Sequence, residues 1–395
     1  MKQSSGAQME TAAADWRNGG FGLYIHWPFC QAKCPYCDFN SHVARQIDHD
    51  RWQAALVSEI ERVAALTEGR LLRSVFFGGG TPSLMPPELV ARLIERIRAR
   101  WRQENQFEVT LEANPTSSEA ARFAGFRDAG VNRVSIGLQS LRDDHLRALG
   151  RLHSAREGLE AYELARKIFP RVSFDLIYAR QNQTPEHWRS ELSEALALAP
   201  THLSLYQLTI EEGTAFGDRY RRGTLRGLPD EDTGAELFDM TQELCEASGL
   251  GAYEVSNHAK TEHESLHNRV YWAYGDYAGV GPGAHGRLTL GGTRHATQAI
   301  ANPGAWLKAV EERGTGDQSA EPLTRQDEAA ECLMMGMRLR EGVSLTRLSR
   351  FSGTLLNEQK VRDLEESGHV ERVDGRLRAT ENGRRVLNAV LRYLL

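Results

Sequence analysis

The chain has 395 residues, 41% of them hydrophobic, and a net charge of -5 at pH 7. That length allows two or three domains with a sizeable core, and the mildly acidic balance argues against a dedicated nucleic-acid binder, which presents a basic face. No apolar run reaches bilayer-spanning length, and residues 1–16 lack the apolar segment of a secretory signal, so they read as a disordered tail.

From Phe21 onward, short β-rich runs alternate with helical patterns. The expected strands are FGLYIHW (21–27), SVFFGGG (74–80), EVTLEAN (108–114), RVSIGLQS (133–140), VSFDLIY (172–178) and HLSLYQLTI (202–210). Several are apolar almost throughout, as parallel strands covered on both faces are. Between them, Trp52, Leu56, Ile60 and Val63 recur at helical spacing, as do Leu89, Leu93, Ile97 and Trp101. Pro86-Pro87-Glu88 supplies a start signal for the second of these helices. Six strand–helix alternations imply a parallel α/β sheet. Gly78 to Thr81, Glu112, Asn114, Gln139, Asp175 and Gln207 gather where the strands end. Barrel enzymes place their chemistry at that rim, so a partial (β/α)6 TIM-like barrel is expected over residues 17–250.

From about residue 232 the rhythm changes. A helix over 236–247 leads into GAYEVSNHA and HNRVYWAYGDYAGVGPGAHG, an extension of the core over 251–320. Residues 312–326 read as a linker. The last segment, 321–395, reads helix, turn, helix, hairpin (HVERVDGRLRAT), helix, a small α+β winged-helix-like domain. Its charges nearly balance, so it reads as a packing module, not a DNA binder.

Cys30, Cys34 and Cys37 fall within eight positions, on a tight loop after the first strand. Cys245 and Cys332 lie in helical patterns and read as small buried hydrophobes. Zinc could use the trio with His26 or His42 as fourth ligand, although structural zinc usually draws on two separated pairs. A [4Fe–4S] cluster normally takes four thiolates. With three, one iron keeps an open position for a ligand. Spacing alone favours the cluster without excluding zinc.

The loop resembles that of the radical S-adenosylmethionine (SAM) superfamily, whose signature is CxxxCxxC with an aromatic residue before the last cysteine, here Tyr36. GGGTPS (78–83) is similar to the family motif that meets SAM's amino group. The resemblance implies a [4Fe–4S] cluster on Cys30, Cys34 and Cys37, SAM chelated at the open iron, and an external electron donor. The cofactor then supplies the hard chemistry while the protein positions it. Within the superfamily, YIHWPFC and CPYCDFNS resemble the subfamily of oxygen-independent coproporphyrinogen III oxidases and haem chaperones.

Carried over position by position, that resemblance implies SAM contacts from Tyr24, Tyr36, Gly79, Gly80, Thr81, Glu112, Gln139, Arg151 and Asp175. HNRVYW (267–272) matches an HNxxYW motif of the chaperone branch and implies haem binding at His267, although a lone histidine is more often a hydrogen-bonded structural residue. The oxidase carries another cysteine where Phe39 stands, and an N-terminal extension where this chain has a short tail. YARQNQT (178–184) departs from the glycine-leucine-proline that follows the tyrosine in relatives. GVGPGAHG (279–286) lacks a clear preceding strand inside a βαβ unit, so a family-like turn near SAM's adenine is expected in place of a dinucleotide loop. The expectation is a cytoplasmic haem chaperone, peripheral to the membrane, that passes haem to respiratory apo-haemoproteins. The alternatives are a coproporphyrinogen III oxidase making protoporphyrinogen IX by radical decarboxylation, and a binding protein with a structural cluster and a vestigial SAM site.

Overall fold

The run FGLYIHW forms β1 (Phe21–Trp27), whose apolar side chains are fully buried. It is paired in parallel on both sides, so its backbone donors and acceptors are satisfied within one sheet. The computed structural model describes residues 14–351 and 356–395. Up to residue 13 the expected tail lies outside the described residues. The end of that tail is ordered: Asp15 is buried and takes a two-pronged ion pair from Arg347, with Nη2 to Oδ2 at 2.6 Å.

The barrel strands follow as β2 (Leu71–Gly79), β3 (Arg102–Ala113), β4 (Arg133–Gln139), β5 (Arg171–Tyr178) and β6 (His202–Gln207), each parallel to the one before. Helices His49–Leu66, Pro87–Arg100, Ala155–Ile168 and Pro185–Ala197 fill the crossovers with their apolar faces inward. The partial (β/α)6 barrel is therefore as expected.

Beyond β1 the sheet continues through β7 (Asp276–Val280), parallel to β1, then antiparallel β8 (His285–Leu290), β9 (Thr293–Ala299) and β10 (Asp317–Pro322). The expected linker 312–326 thus contains an edge strand. Its sequence DQSAEP is polar and mostly exposed, so it carries no alternation that would reveal a strand. GVGPGAHG does follow a strand, β7, contrary to expectation. What succeeds it is another strand, not a helix, so the dinucleotide reading still fails.

HNRVYW folds as α1 (Leu266–Trp272) and packs at the N-terminal end of the barrel, against Ser74 on β2 and Glu108 on β3. Glu108 on β3 accepts from the His267 amide at 3.2 Å and from Ser265 Oγ at 3.3 Å, placing a carboxylate at this helix start. Arg171 pairs with the same carboxylate at 2.8 Å, which compensates its burial.

The C-terminal domain opens with α2 (Arg325–Gly336), capped by a reciprocal Thr324–Asp327 box. A three-stranded sheet follows, and its hairpin turns at Asp374 and Gly375, both at positive φ, as a two-residue hairpin loop requires. The domain has its own core, around Leu333, Leu348, Val361 and Leu377. Cys332 is buried here, and Cys245 in the barrel core, as the helical patterns implied.

Candidate cluster and cofactor site

Eleven of the thirteen site residues picked out by sequence line one cavity of about 150 Å³ at the C-terminal rim: the three cysteines, Tyr36, Gly79, Gly80, Thr81, Glu112, Gln139, Arg151 and Asp175. Tyr24 lies beside it, lining a larger chamber that shares Gly79 and Glu112. His267 is the exception. It is 1% exposed and sits inside the barrel, with Nδ1 2.9 Å from Ser74 Oγ and Nε2 2.8 Å from Tyr271 Oη. Its neighbour Tyr271 lines the chamber in its place. Burial holds the His267 imidazole neutral, its pKa pushed down to about 3.

The glycine motif is shaped by close approach. Gly79 takes φ 108°, and a Cβ there would fall 2.6 Å from the His26 ring. A Cβ on Gly80 would meet the Phe29 carbonyl at 2.8 Å. Gly80 and Thr81 instead donate their amides to Trp27 and Phe29 carbonyls, at 2.7 and 2.9 Å, which docks the motif against the root of the cysteine loop. Thr81 Oγ1 then reaches Cys30 Sγ at 3.3 Å, and Ser41 Oγ lies 3.7 Å from Cys37 Sγ. Both thiols are pushed up by burial, the hydroxyls acting against that rise. Among the described residues no three metal-binding side chains stand close enough to hold a single ion. Three sulfurs on one zinc would lie roughly 3.8 Å apart, whereas a cubane seats each on a different iron. His26 and His42 are otherwise engaged: both direct Nε2 at Asn40, at 2.9 Å.

Two half-buried carboxylates face the barrel interior. Glu112 is raised to about 8 by burial and by Asp175. Asp175 is raised to about 6 by burial, against hydrogen bonds from Ser204 and Ser135. Such a pair favours a cationic ligand, because a positive charge offsets both desolvation and mutual repulsion. Opposite stands Arg151, which donates to Asn114 Oδ1 at 2.6 Å and to the Gly137 carbonyl at 2.9 Å but has no carboxylate partner among the described residues. Its Nε and the Gln139 Oε1 are buried without hydrogen-bond partners, and Gln139 holds φ 67°, an unusual conformation for a non-glycine residue. An unpaired guanidinium and an orphaned amide oxygen mark a site built for a polar ligand. Sequence reasoning noticed Asn114 at a strand end but left it out of the site; its partner Arg151 lies 37 residues away, a relation no local pattern reveals.

The loop 178–184 is held by a buried ion pair. Arg180 is buried and ion-paired with Glu191, which also accepts from Ser140 Oγ at 2.6 Å and the Leu141 amide at 2.7 Å. This ties the loop to the rim beside Gln139.

The fold and the three-cysteine loop define a radical SAM protein. The Radical SAM superfamily description matches residues 24–194 and the HemN C-terminal domain matches residues 323–386. The chain is 36% identical to the haem chaperone HemW of Escherichia coli, across 94% of this chain and 97% of that protein. It is 39% identical to the mitochondrial radical S-adenosyl methionine domain-containing protein 1 of Bos taurus, across 94% and 87%. The structure of the coproporphyrinogen III oxidase HemN from Escherichia coli superposes with a TM-score of 0.81 at 22% identity, covering 97% of this chain and 92% of that one, a likeness of fold. The chain belongs to the HemW family of radical SAM proteins. That superfamily implies a [4Fe–4S] cluster and SAM, and the residues present fit both: three thiols on one loop, a glycine-lined ledge, an acidic pair and an unpaired guanidinium.

Proposed function

We propose that this chain binds haem and delivers it to apo-haemoproteins. Cys30, Cys34 and Cys37 hold the [4Fe–4S] cluster, and Tyr24, Tyr36, Gly79, Gly80, Thr81, Glu112, Gln139, Arg151 and Asp175 cradle SAM. When bound, the cluster supplies an open iron and one-electron chemistry. The chain's own residues bind and orient. Glu112 and Asp175 attract positive charge, Arg151 meets a carboxylate, and the glycine ledge admits the ligand at backbone distance.

One observation carries the reading. An aromatic chamber of about 760 Å³ adjoins the SAM site, sharing Gly79, Glu112 and Phe39 with it and lined by Tyr24, Tyr271, Trp272 and Tyr277. Its size lies within the span of small-molecule sites, about 300–1,000 Å³, and its aromatic walls suit a flat apolar macrocycle. Membrane-bound respiratory apo-proteins are the proposed recipients. No described helix is long and apolar enough to cross a bilayer, so contact with a membrane would be peripheral.

The test is transfer. Anaerobically reconstituted protein is loaded with ferric haem and mixed with an apo-haemoprotein, and the acceptor's Soret band is followed. Growth of that band at the expense of the donor's supports the proposal. Haem that never binds overturns it, as does anaerobic conversion of coproporphyrinogen III with SAM and reductant at enzymatic rates.

A further inference from the structure

The HNxxYW histidine faces away from the chamber. Both His267 ring nitrogens are engaged, and the ring lies behind Tyr271, 4.8 Å between centroids and edge-on at 86°. An iron atom in the chamber reaches His267 only if Tyr271 gives up its hydrogen bond and moves aside. His26 lines the chamber but is committed through Nε2 to the Asn40 carbonyl at 2.9 Å and through Nδ1 to Tyr24 Oη at 3.1 Å.

His285 differs from both. It opens β8, lines the chamber and is exposed, and its side chain has no hydrogen-bond partner among the described residues. The glycine-rich segment 279–286, which does not line the cluster cavity, explains its position. Gly281 takes φ 111°, and a Cβ there would fall 2.3 Å from the His26 carbonyl; Gly283 takes φ 74° against Asn40. Only glycine allows this turn to press onto β1 and the cysteine loop, and the turn delivers His285 to the chamber mouth beside His26. Strand alternation then places Arg287 on the same face, opposite Tyr277. Tyr277 meets Tyr271 edge-to-face at 4.5 Å, a rigid aromatic corner. Met335 from α2 stands among the lining residues. Partial desolvation and Arg287 lower the His285 pKa, which favours the neutral imidazole, and neutral imidazole is the usual protein ligand of haem iron.

We infer that His285 ligates the haem iron in this chamber, with Tyr271, Trp272 and Tyr277 forming the wall against which the macrocycle lies. This rests on the haem-carrier reading above. His267 then acts from behind the wall, holding Tyr271 in place.

The experiment titrates ferric haem, and separately metal-free protoporphyrin IX, into the reconstituted full chain, with Soret absorption and electron paramagnetic resonance of the ferric iron as readouts. In His285→Ala, ferric haem should bind at least tenfold more weakly, the metal-free macrocycle should bind as in wild type, and added imidazole should restore the wild-type spectrum. His285→Cys should move the Soret band to that of a thiolate-ligated haem. Wild-type affinity and spectrum in both variants overturn the inference while leaving the carrier reading intact, and so does loss of the ligation signature in His267→Ala alone. Failure of the wild type to bind ferric haem overturns the carrier reading, and the inference with it.

Discussion

Arg151 holds Nη1 3.6 Å from Sγ of Cys34, although 117 residues separate them. The same guanidinium donates to Asn114 and to the Gly137 carbonyl, so one side chain ties the cysteine loop to the rims of β3 and β4. Lysine carries the charge but cannot reproduce the planar fork. Arg151→Lys should keep its iron and sulfide content and bind SAM at least tenfold more weakly. SAM titration of the reduced protein, followed by electron paramagnetic resonance, checks this; wild-type affinity would remove Arg151 from the site.

The acidic pair predicts a pH dependence. Glu112 and Asp175 ionise at about 8 and about 6 in the folded chain, above their unfolded values, so the native state binds more protons over that interval. Stability is full below the unfolded values and is lost as pH rises through the folded ones. The ligand-free protein should lose on the order of 3 kcal/mol between pH 5 and 8 from Glu112 alone. Glu112→Gln should flatten the upper part of that profile in denaturant titrations.

Ligand affinity should run the opposite way. SAM carries a sulfonium charge, and ionised Glu112 favours it, so affinity should climb with pH and level off above about 8. In Glu112→Gln the climb should vanish and affinity should fall throughout. A pH-independent wild type would show that this carboxylate does not meet the ligand's charge.

Metal chemistry separates cluster from zinc. Cys34→Ala, reconstituted with iron and sulfide without oxygen, should lose the broad thiolate-to-iron absorption, whereas His42→Ala should retain it, because His42 Nε2 is turned toward Asn40. A colourless wild type with stoichiometric zinc would reverse both expectations.

Arg180 and Glu191 form a buried pair with Ser140 and Leu141 gathered on the carboxylate. Removing one partner leaves an uncompensated charge, so Arg180→Ala should cost about 3–5 kcal/mol. A variant as stable as wild type by thermal unfolding would mean that water already reaches this carboxylate.

The barrel was legible because several of its strands are apolar almost throughout and β1 coincides with FGLYIHW. The start of β3 was missed: Arg102 to Gln106 are polar, and the pairing of β2 with that stretch lies outside any local pattern. β10 was hidden for the same reason at the sheet's edge. The cysteine loop and glycine ledge were readable through the family resemblance of their motifs, since spacing alone left zinc open. The orientation of His267 was not legible, because a motif does not say which way a side chain faces. Its burial depends on Ser74, Tyr271 and Glu108, each from a different part of the chain or turn of the helix. Ala179 adopts φ 56°, a left-handed conformation unusual for a non-glycine residue, next to the Arg180–Glu191 pair that restrains the loop.

α1 packs at the lower ends of the barrel strands, with Glu108 and Arg171 locked around its first turn, and the cofactor cavity lies at the opposite rim. Because Gly79 and Glu112 line both cavities, a change at either residue alters two walls at once.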